Sequence, residues 1–209
     1  DSFNSWVGRA VLGYKIGDNI NTYASMSRGR RPAMLNVSDL GTDPIAPEIV
    51  WSYELGMKGN AADGRFVYDL SVFYYDYNDF QASVQNDAPP PFFVTTNAGK
   101  AHALGFEASL FGRFNDNVNG WLNYGYIDGG FNAFDDDGTY QELEQDGYGL
   151  FNLRAGWKFN QRWDVAVWGN NLADEEYLID AGNTGILFGI PTVIAGPDRS
   201  YGVTLRAKF

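Results

Sequence analysis

Cysteine is absent from this chain of 209 residues, and histidine occurs once, at His102. Without cysteine the chain can form neither a disulfide framework nor a thiolate metal centre. A single histidine has no partner at metal-ligand or general-base spacing, so an ordinary residue at the start of a strand is the simpler interpretation of His102. The sequence therefore predicts no enzyme, no resident metal and no cofactor.

Long apolar runs and a basic surface are also missing. No window holds about 18 consecutive apolar residues, which excludes a transmembrane helix. The net charge is -11, and a nucleic-acid-binding protein would instead carry a basic surface. The first residues lack the basic start and apolar core of a signal peptide, so we expect a mature or truncated chain.

Aromatic residues and glycine are abundant, at 16% of the chain and 25 positions. The apolar residues recur at every second position, which is the period of a strand rather than of a helix. The clearest example is residues 51–58, where large apolar and small or polar residues alternate: Trp51, Tyr53, Leu55 and Met57 against Ser52, Glu54, Gly56 and Lys58. Such a segment presents one apolar and one polar face.

About nine strands are predicted in this way, and the connections between them alternate between short and long. The predicted strands are 5–15, 20–29, 51–58, 65–80, 100–111, 118–127, 149–158, from 163 to about 167, and 201–209. The long connection that reaches residue 48 contains Pro32, Pro44 and Pro47, and we expect it to be loop. Short and long connections on opposite rims are typical of transmembrane β-barrels, whose tilted strands of about 10 residues cross an apolar band of roughly 25 Å.

The last alternating segment places Tyr201, Val203, Leu205, Ala207 and Phe209 on one face. At the edge of a soluble sheet this ribbon would stay unpaired, whereas in a barrel it pairs on both sides and faces lipid. We therefore predict that Tyr201, Val203, Leu205 and Phe209 belong to the strand that closes an all-β, antiparallel transmembrane barrel. Bacterial single-chain barrels have even strand numbers, so nine strands suggest the C-terminal part of a larger barrel.

Six pieces of the chain resemble the C-terminal half of a TonB-dependent outer-membrane receptor. They are YASMSRG at 23–29, PE at 47–48 with YELGMK at 53–58, FYYDYNDFQ at 73–81, NAGK at 97–100 with GFE at 105–107, NNLADEEY at 170–177, and RSYGVTLRAKF at 199–209. The resemblance implies a location in the bacterial outer membrane and a barrel of about 22 strands. It also implies a plug domain and an N-terminal coupling box, which this sequence does not show. Residues 1–209 would then be the C-terminal portion of the barrel.

By the same resemblance, the function is active uptake of a scarce nutrient, most often a ferric siderophore, energised by TonB through the missing N-terminal part. The implied partners are outer-membrane lipid and lipopolysaccharide, the small-molecule ligand and the barrel-assembly machinery. Two rival interpretations stay open. A passive porin would have no plug and would conduct ions, and a soluble β-sandwich that binds carbohydrate also has alternating strands.

Arg28, Arg30 and Arg31 open the first long connection and are the best candidates for ligand contact. Arginine forks suit the carboxylate and catecholate oxygens of anionic ferric siderophores, although such residues also pair with lipopolysaccharide phosphates or simply face water. The acidic connection 128–146 offers oxygen ligands for a hard cation but lacks the order of a calcium-binding loop. Tyr75 and Trp168 are further ligand candidates, and 186–191 is expected to be a rim hairpin.

Overall fold

Nine strands form one antiparallel sheet in the computed structural model, which describes residues 6–38, 41–85, 93–97, 99–133, 145–182 and 192–208. The strands of this sheet, in spatial order, are β1 (Gly8–Ile16), β2 (Ile20–Arg31), β5 (Glu48–Ala61), β6 (Phe66–Asn78), β9 (Lys100–Arg113), β10 (Val118–Ala133), β11 (Tyr148–Lys158), β12 (Trp163–Asn170) and β15 (Ser200–Ala207). Each strand pairs with the one before it along this order, so the sheet is a continuous up-and-down meander. The predicted all-β, antiparallel class is confirmed.

None of the residues that the structure describes belongs to a helix long and apolar enough to span a lipid bilayer.

The connections within the sheet alternate between short and long, as predicted. The short turns are 17–19, 62–65, 114–117 and 159–162, and the long connections are 32–47, 79–99, 134–147 and 171–199. Two of the short turns depend on one asparagine each. Asn115 Oδ1 accepts hydrogen bonds from the backbone N–H groups of Asn117 and Val118, and Asn160 Oδ1 makes the equivalent pair of bonds in the next short turn. All the short turns therefore lie on one rim and all the long connections on the other.

The register divides the sheet into an apolar face and a polar face. Residues directly opposite each other in antiparallel strands point the same way. One row across the apolar face contains Leu12, Ala24, Leu55, Val72, Phe106 and Tyr126. The adjacent row across the polar face contains Tyr23, Gly56, Ser71, Glu107 and Gly125.

The apolar face is not covered by a second layer in the part of the chain that the structure describes. Leu12 is 75% exposed and Leu55 59%, and the buried hydrophobic residues there are limited to Ile45, Ala101 and Ala166. A soluble sandwich would bury these rows between two sheets. A continuous exposed apolar face of this extent instead fits contact with lipid.

Aromatic rings on the polar face fold over glycines on the neighbouring strand. A Cβ atom added at Gly56 would lie 2.3 Å from the ring of Tyr23, and one added at Gly105 would lie 2.1 Å from the ring of Phe73. Each glycine is directly opposite its aromatic partner. The abundance of glycine therefore has a packing cause here, since only a missing side chain leaves room for the ring.

Three of the long connections contain hairpins, and the first two of these were not predicted from the sequence. They are β3 (Met34–Ser38) with β4 (Gly41–Ile45), β7 (Gln81–Gln85) with β8 (Phe93–Asn97), and β13 (Leu178–Gly182) with β14 (Thr192–Ala195). The prediction that 32–47 is loop was therefore wrong. Pro44 lies within β4 opposite Leu35, because a strand of a two-stranded hairpin has an open edge at which a missing N–H is tolerated.

Several strands of the main sheet are longer than the alternation predicted. β5 begins at Glu48 rather than at Trp51, and β10 continues to Ala133 rather than ending near Ile127. The additional residues of β10 are glycine-rich and polar, which favours a turn in a sequence-based prediction. Beyond the apolar band a strand needs no alternation, so hydrophobic pattern cannot show where it ends.

Candidate functional site

The first two long connections are tied together by the buried side chain of Gln81, which is 4% exposed. Its Nε2 donates to the carbonyl oxygen of Pro32 at 3.0 Å and to that of Ala46 at 2.9 Å. Its backbone N–H donates to Glu48 Oε2 at 2.9 Å, and its carbonyl oxygen accepts from Arg31 Nη1 at 3.2 Å. A single residue of the second connection thus bonds both ends of the first.

Asn97 makes a second set of hydrogen bonds between the bases of the first two long connections. Its Nδ2 donates to the carbonyl oxygens of Ala46, at 3.0 Å, and Asp79, at 2.8 Å. Its Oδ1 accepts from the backbone N–H of Ala46 at 2.8 Å. We call Arg31, Glu48, Gln81 and Asn97 the rim junction. It gives the bases of two long connections one fixed arrangement.

The last long connection is held by Asn171, which is 5% exposed and has a positive φ of 48°. Its Oδ1 accepts from the N–H of Glu175 at 2.9 Å, and its Nδ2 donates to the carbonyl oxygens of Glu175, at 2.8 Å, and Pro197, at 3.2 Å. Its own N–H donates to Asn152 Oδ1 at 2.9 Å. The side chain therefore bonds both the first and the last part of this connection.

The polar face carries paired charges and hydroxyl groups below the rim. The hydroxyl of Tyr23 donates to Glu54 Oε1, and Lys58 Nζ lies 2.8 Å from Asp69 Oδ2. These groups line an open depression of about 480 Å³. Such a surface offers donors and acceptors to a polar ligand or to a polar protein segment, and it contrasts with the opposite face.

The structure places the three predicted ligand-contact arginines on two different faces. Arg28 is paired with Trp51 and Arg30 with Ile49 on the apolar face, whereas Arg31 is paired with Glu48 on the polar face. The guanidinium of Arg28 lies 4.6 Å from the centre of the Trp6 ring and donates to the Trp6 carbonyl oxygen. The three residues therefore do not converge as one anion site, and ligand contact by any of them stays a prediction.

The other predicted residues are distributed as follows. Tyr201, Val203 and Leu205 lie on the apolar face of β15, and all three are exposed. Phe209, the residues 134–144 of the acidic connection and the segment 186–191 lie outside the described residues. Closure by β15 stays a prediction. His102 lies on the apolar face opposite Asp76, and Tyr75 and Trp168 lie on the polar face.

The pieces that resemble the receptor family contain Glu48, Gln81, Asn97 and Asn171, but alternation alone predicts no role for any of them. Each is a polar residue at the point where an alternating strand meets a long connection. A carboxylate or amide at such a boundary can satisfy backbone groups that leave the ladder, which is the signal that was available. Which groups it satisfies depends on how the connections fold.

Long strands, an exposed apolar face, a polar face and alternating connections together define the wall of a transmembrane β-barrel. The chain belongs to the family of TonB-dependent-receptor-like β-barrels, which matches residues 1–141. Proteins of this family are receptors and transporters of the bacterial outer membrane and not enzymes. The family predicted from the sequence is thus confirmed.

Two curated relatives and one solved structure show how much of a receptor this chain represents. It is 25% identical to the ferric-pyoverdine M114 receptor PbuA of Pseudomonas sp. (strain M114), over 94% of this chain and 29% of the receptor. It is 24% identical to the pesticin receptor of Yersinia pestis, over 97% of this chain and 36% of the receptor. The ferric yersiniabactin uptake receptor FyuA from Yersinia pestis superposes with a TM-score of 0.56 at 20% identity, over 97% of this chain and 37% of FyuA. The chain therefore spans about a third of the length of these relatives.

Proposed function

We propose that this chain is the C-terminal part of an outer-membrane receptor that takes up a ferric siderophore with energy supplied through TonB. The observation that carries the proposal is the family match over residues 1–141. The choice of ligand is supported by the names of the relatives, among which are receptors for ferric pyoverdine. In this proposal the long connections capture the ligand outside the cell, and the polar face lines its path.

The rim junction supports this role. A capture surface made of long connections binds more tightly when their bases are already ordered, because less conformational entropy is lost on binding. The bonds of Gln81 and Asn97 provide this order for the first two connections. The paired charges of Lys58 with Asp69 lie on the face that a passing ligand, or a domain inside the barrel, would contact.

The extent of the barrel is part of the proposal. In the described structure β1 and β15 each pair with one neighbour in the sheet, β2 and β12 respectively. An unpaired strand edge cannot remain in hydrocarbon, where no water replaces the missing hydrogen bonds. We assign further strands, a plug and the coupling segment for TonB to the rest of the receptor, and lipopolysaccharide and the barrel-assembly machinery to its surroundings.

Uptake by the whole receptor tests this function. The receptor would be expressed in iron-starved cells that lack their own siderophore receptors, and accumulation of radioactive iron from ferric pyoverdine, a catecholate and a hydroxamate complex would be measured. We expect uptake of at least one complex, falling at least tenfold when TonB is deleted. Uptake that persists without TonB, together with ion conductance in planar bilayers, would identify a passive channel. TonB-dependent uptake of a ligand without iron would overturn the siderophore assignment.

A further inference from the structure

Most lysine and arginine residues in the described strands of the nine-stranded sheet lie on its polar face. On its apolar face, the strand residues described include three of these cations, namely Arg28, Arg30 and Lys100. All three lie at the end where the long connections begin. Arg28 and Arg30 are on β2, and Lys100 is on β9, two intervening strands away.

These cations lie directly above the apolar band. Arg30 shares a row with Ile49, Asn78 and Lys100, and Arg28 shares the next row with Trp51, Asp76 and His102. The row below those contains Met26, Tyr53, Tyr74 and Leu104, and their side chains are exposed. With strands about 4.8 Å apart, the backbones of Arg30 and Lys100 are about 14 Å apart. The arrangement is wide enough for a headgroup that carries more than one negative charge.

An apolar depression of about 570 Å³ lies immediately below Arg28 on the same face. Two small residues, Ala10 and Ala24, form part of its floor, and its walls include Met26, Tyr53 and Leu55. The depression is a second observation, independent of the three cations, since it depends on side-chain volume rather than on charge. A depression lined by apolar side chains can accept a hydrocarbon chain.

The position of the cations selects the lipid leaflet. Long connections of bacterial barrels face the cell exterior, so this end of the apolar face lies in the outer leaflet of the outer membrane. A cation on the lipid face is most costly at the bilayer midplane and costs little near the interface. Arginine beside tryptophan, as with Arg28 on Trp6, is typical of residues anchored at that interface.

We propose that Arg28, Arg30 and Lys100 bind the phosphates of the lipid A part of lipopolysaccharide, and that one of its acyl chains lies in the depression below them. Asp76 lies between Trp51 and His102 in the row of Arg28, and Asp128 lies on β10 one row lower, opposite Leu104. Among the described strand residues at this end of the apolar face, three cations face these two carboxylates, and the balance favours a phosphorylated headgroup. This proposal depends on the outer-membrane location and not on which nutrient is taken up.

Lipid binding by the whole, delipidated receptor tests the site. Purified lipid A would be titrated against the receptor in detergent micelles and followed by native mass spectrometry, with the R28Q/R30Q/K100Q variant in parallel. We expect lipid A to bind at least tenfold more weakly to this variant. A matched variant, R9Q/K15Q/R113Q, removes three cations from the polar face and should bind lipid A as the parent does. Heat-dependent mobility in electrophoresis would confirm that each variant is folded.

Two further measurements test the acyl-chain site and the phosphate contacts separately. Ala24→Trp fills the depression without changing charge and should weaken lipid A binding several-fold. Removing one phosphate from lipid A should also weaken binding to the parent receptor, and much less so to the triple variant. Equal binding of lipid A to the parent and the folded triple variant would overturn the site, and so would equal binding of phosphatidylglycerol and lipid A to the parent.

Discussion

Replacing Gln81 by glutamate will lower the free energy of unfolding by about 3 kcal/mol, since a buried polar group left without a partner costs about 1–3 kcal/mol and a buried charge costs more. The change removes the Nε2 donor that bonds the carbonyl oxygens of Pro32 and Ala46, of which the second keeps its bond from Asn97 Nδ2. It also places a carboxylate beside these oxygens and close to Glu48, which accepts from the backbone N–H of residue 81. Denaturant unfolding of the whole receptor, refolded into lipid vesicles, measures the loss.

Two matched variants test what causes the loss of stability in Gln81→Glu. Gln81→Leu removes the same donor without adding charge, so we expect it to be less destabilising than Gln81→Glu. Asp43→Ala changes an exposed residue of the same connection and should stay within about 0.5 kcal/mol of the parent. Limited proteolysis should cut the first two long connections faster in both Gln81 variants. A Gln81→Glu receptor as stable and as protease-resistant as the parent would show that the rim junction does not hold these connections.

Replacing Asn171 by alanine will destabilise the last long connection by about 3 kcal/mol. Three side-chain hydrogen bonds are lost, each contributing about 0.5–1.5 kcal/mol, and the left-handed conformation costs alanine about 1–2 kcal/mol more. Glycine adopts this conformation without that cost, so Asn171→Gly should be about 1 kcal/mol less harmful. In the same unfolding measurement, we expect the parent to be the most stable, Asn171→Gly to be intermediate and Asn171→Ala to be the least stable.

The neighbouring residue supplies the control for this series. Asn170 is exposed, and its side chain makes one long contact of 3.5 Å with the Ser200 hydroxyl. Asn170→Ala should therefore change stability little. If Asn171→Ala were no more harmful than Asn170→Ala, the bonds to Glu175 and Pro197 would not be what fixes this connection.

The main sheet could be predicted because alternation arises within each strand and does not depend on distant residues. Alternation in residues such as Trp51, Tyr53, Leu55 and Met57 follows directly from the two faces of a strand in lipid. The same parity already separates Arg28 and Arg30 from Arg31. It was not applied to them because β2 was predicted to end at Gly29, whereas it continues to Arg31.

The rim junction and the glycine pairs were not predictable, because both depend on cross-strand register and on the path of the connections. Gly105 lies under the ring of Phe73 only because the two residues are directly opposite in β9 and β6. Gln81 and Asn97 bond backbone groups about 35 and 51 residues away in the chain. Periodicity carries no information about such distant partners.

The division of the sheet into a lipid face and a polar face can be measured residue by residue. The chain contains no cysteine, so single-cysteine variants at positions 52 to 55 and at position 57 add one thiol each to this part of the receptor. Each thiol would carry a fluorophore in receptor reconstituted into vesicles, and quenching by brominated lipid and by aqueous iodide would be compared. We expect lipid quenching at Tyr53, Leu55 and Met57 and iodide quenching at Ser52 and Glu54. Quenching that does not alternate, or iodide access to the first set, would contradict a membrane-spanning strand.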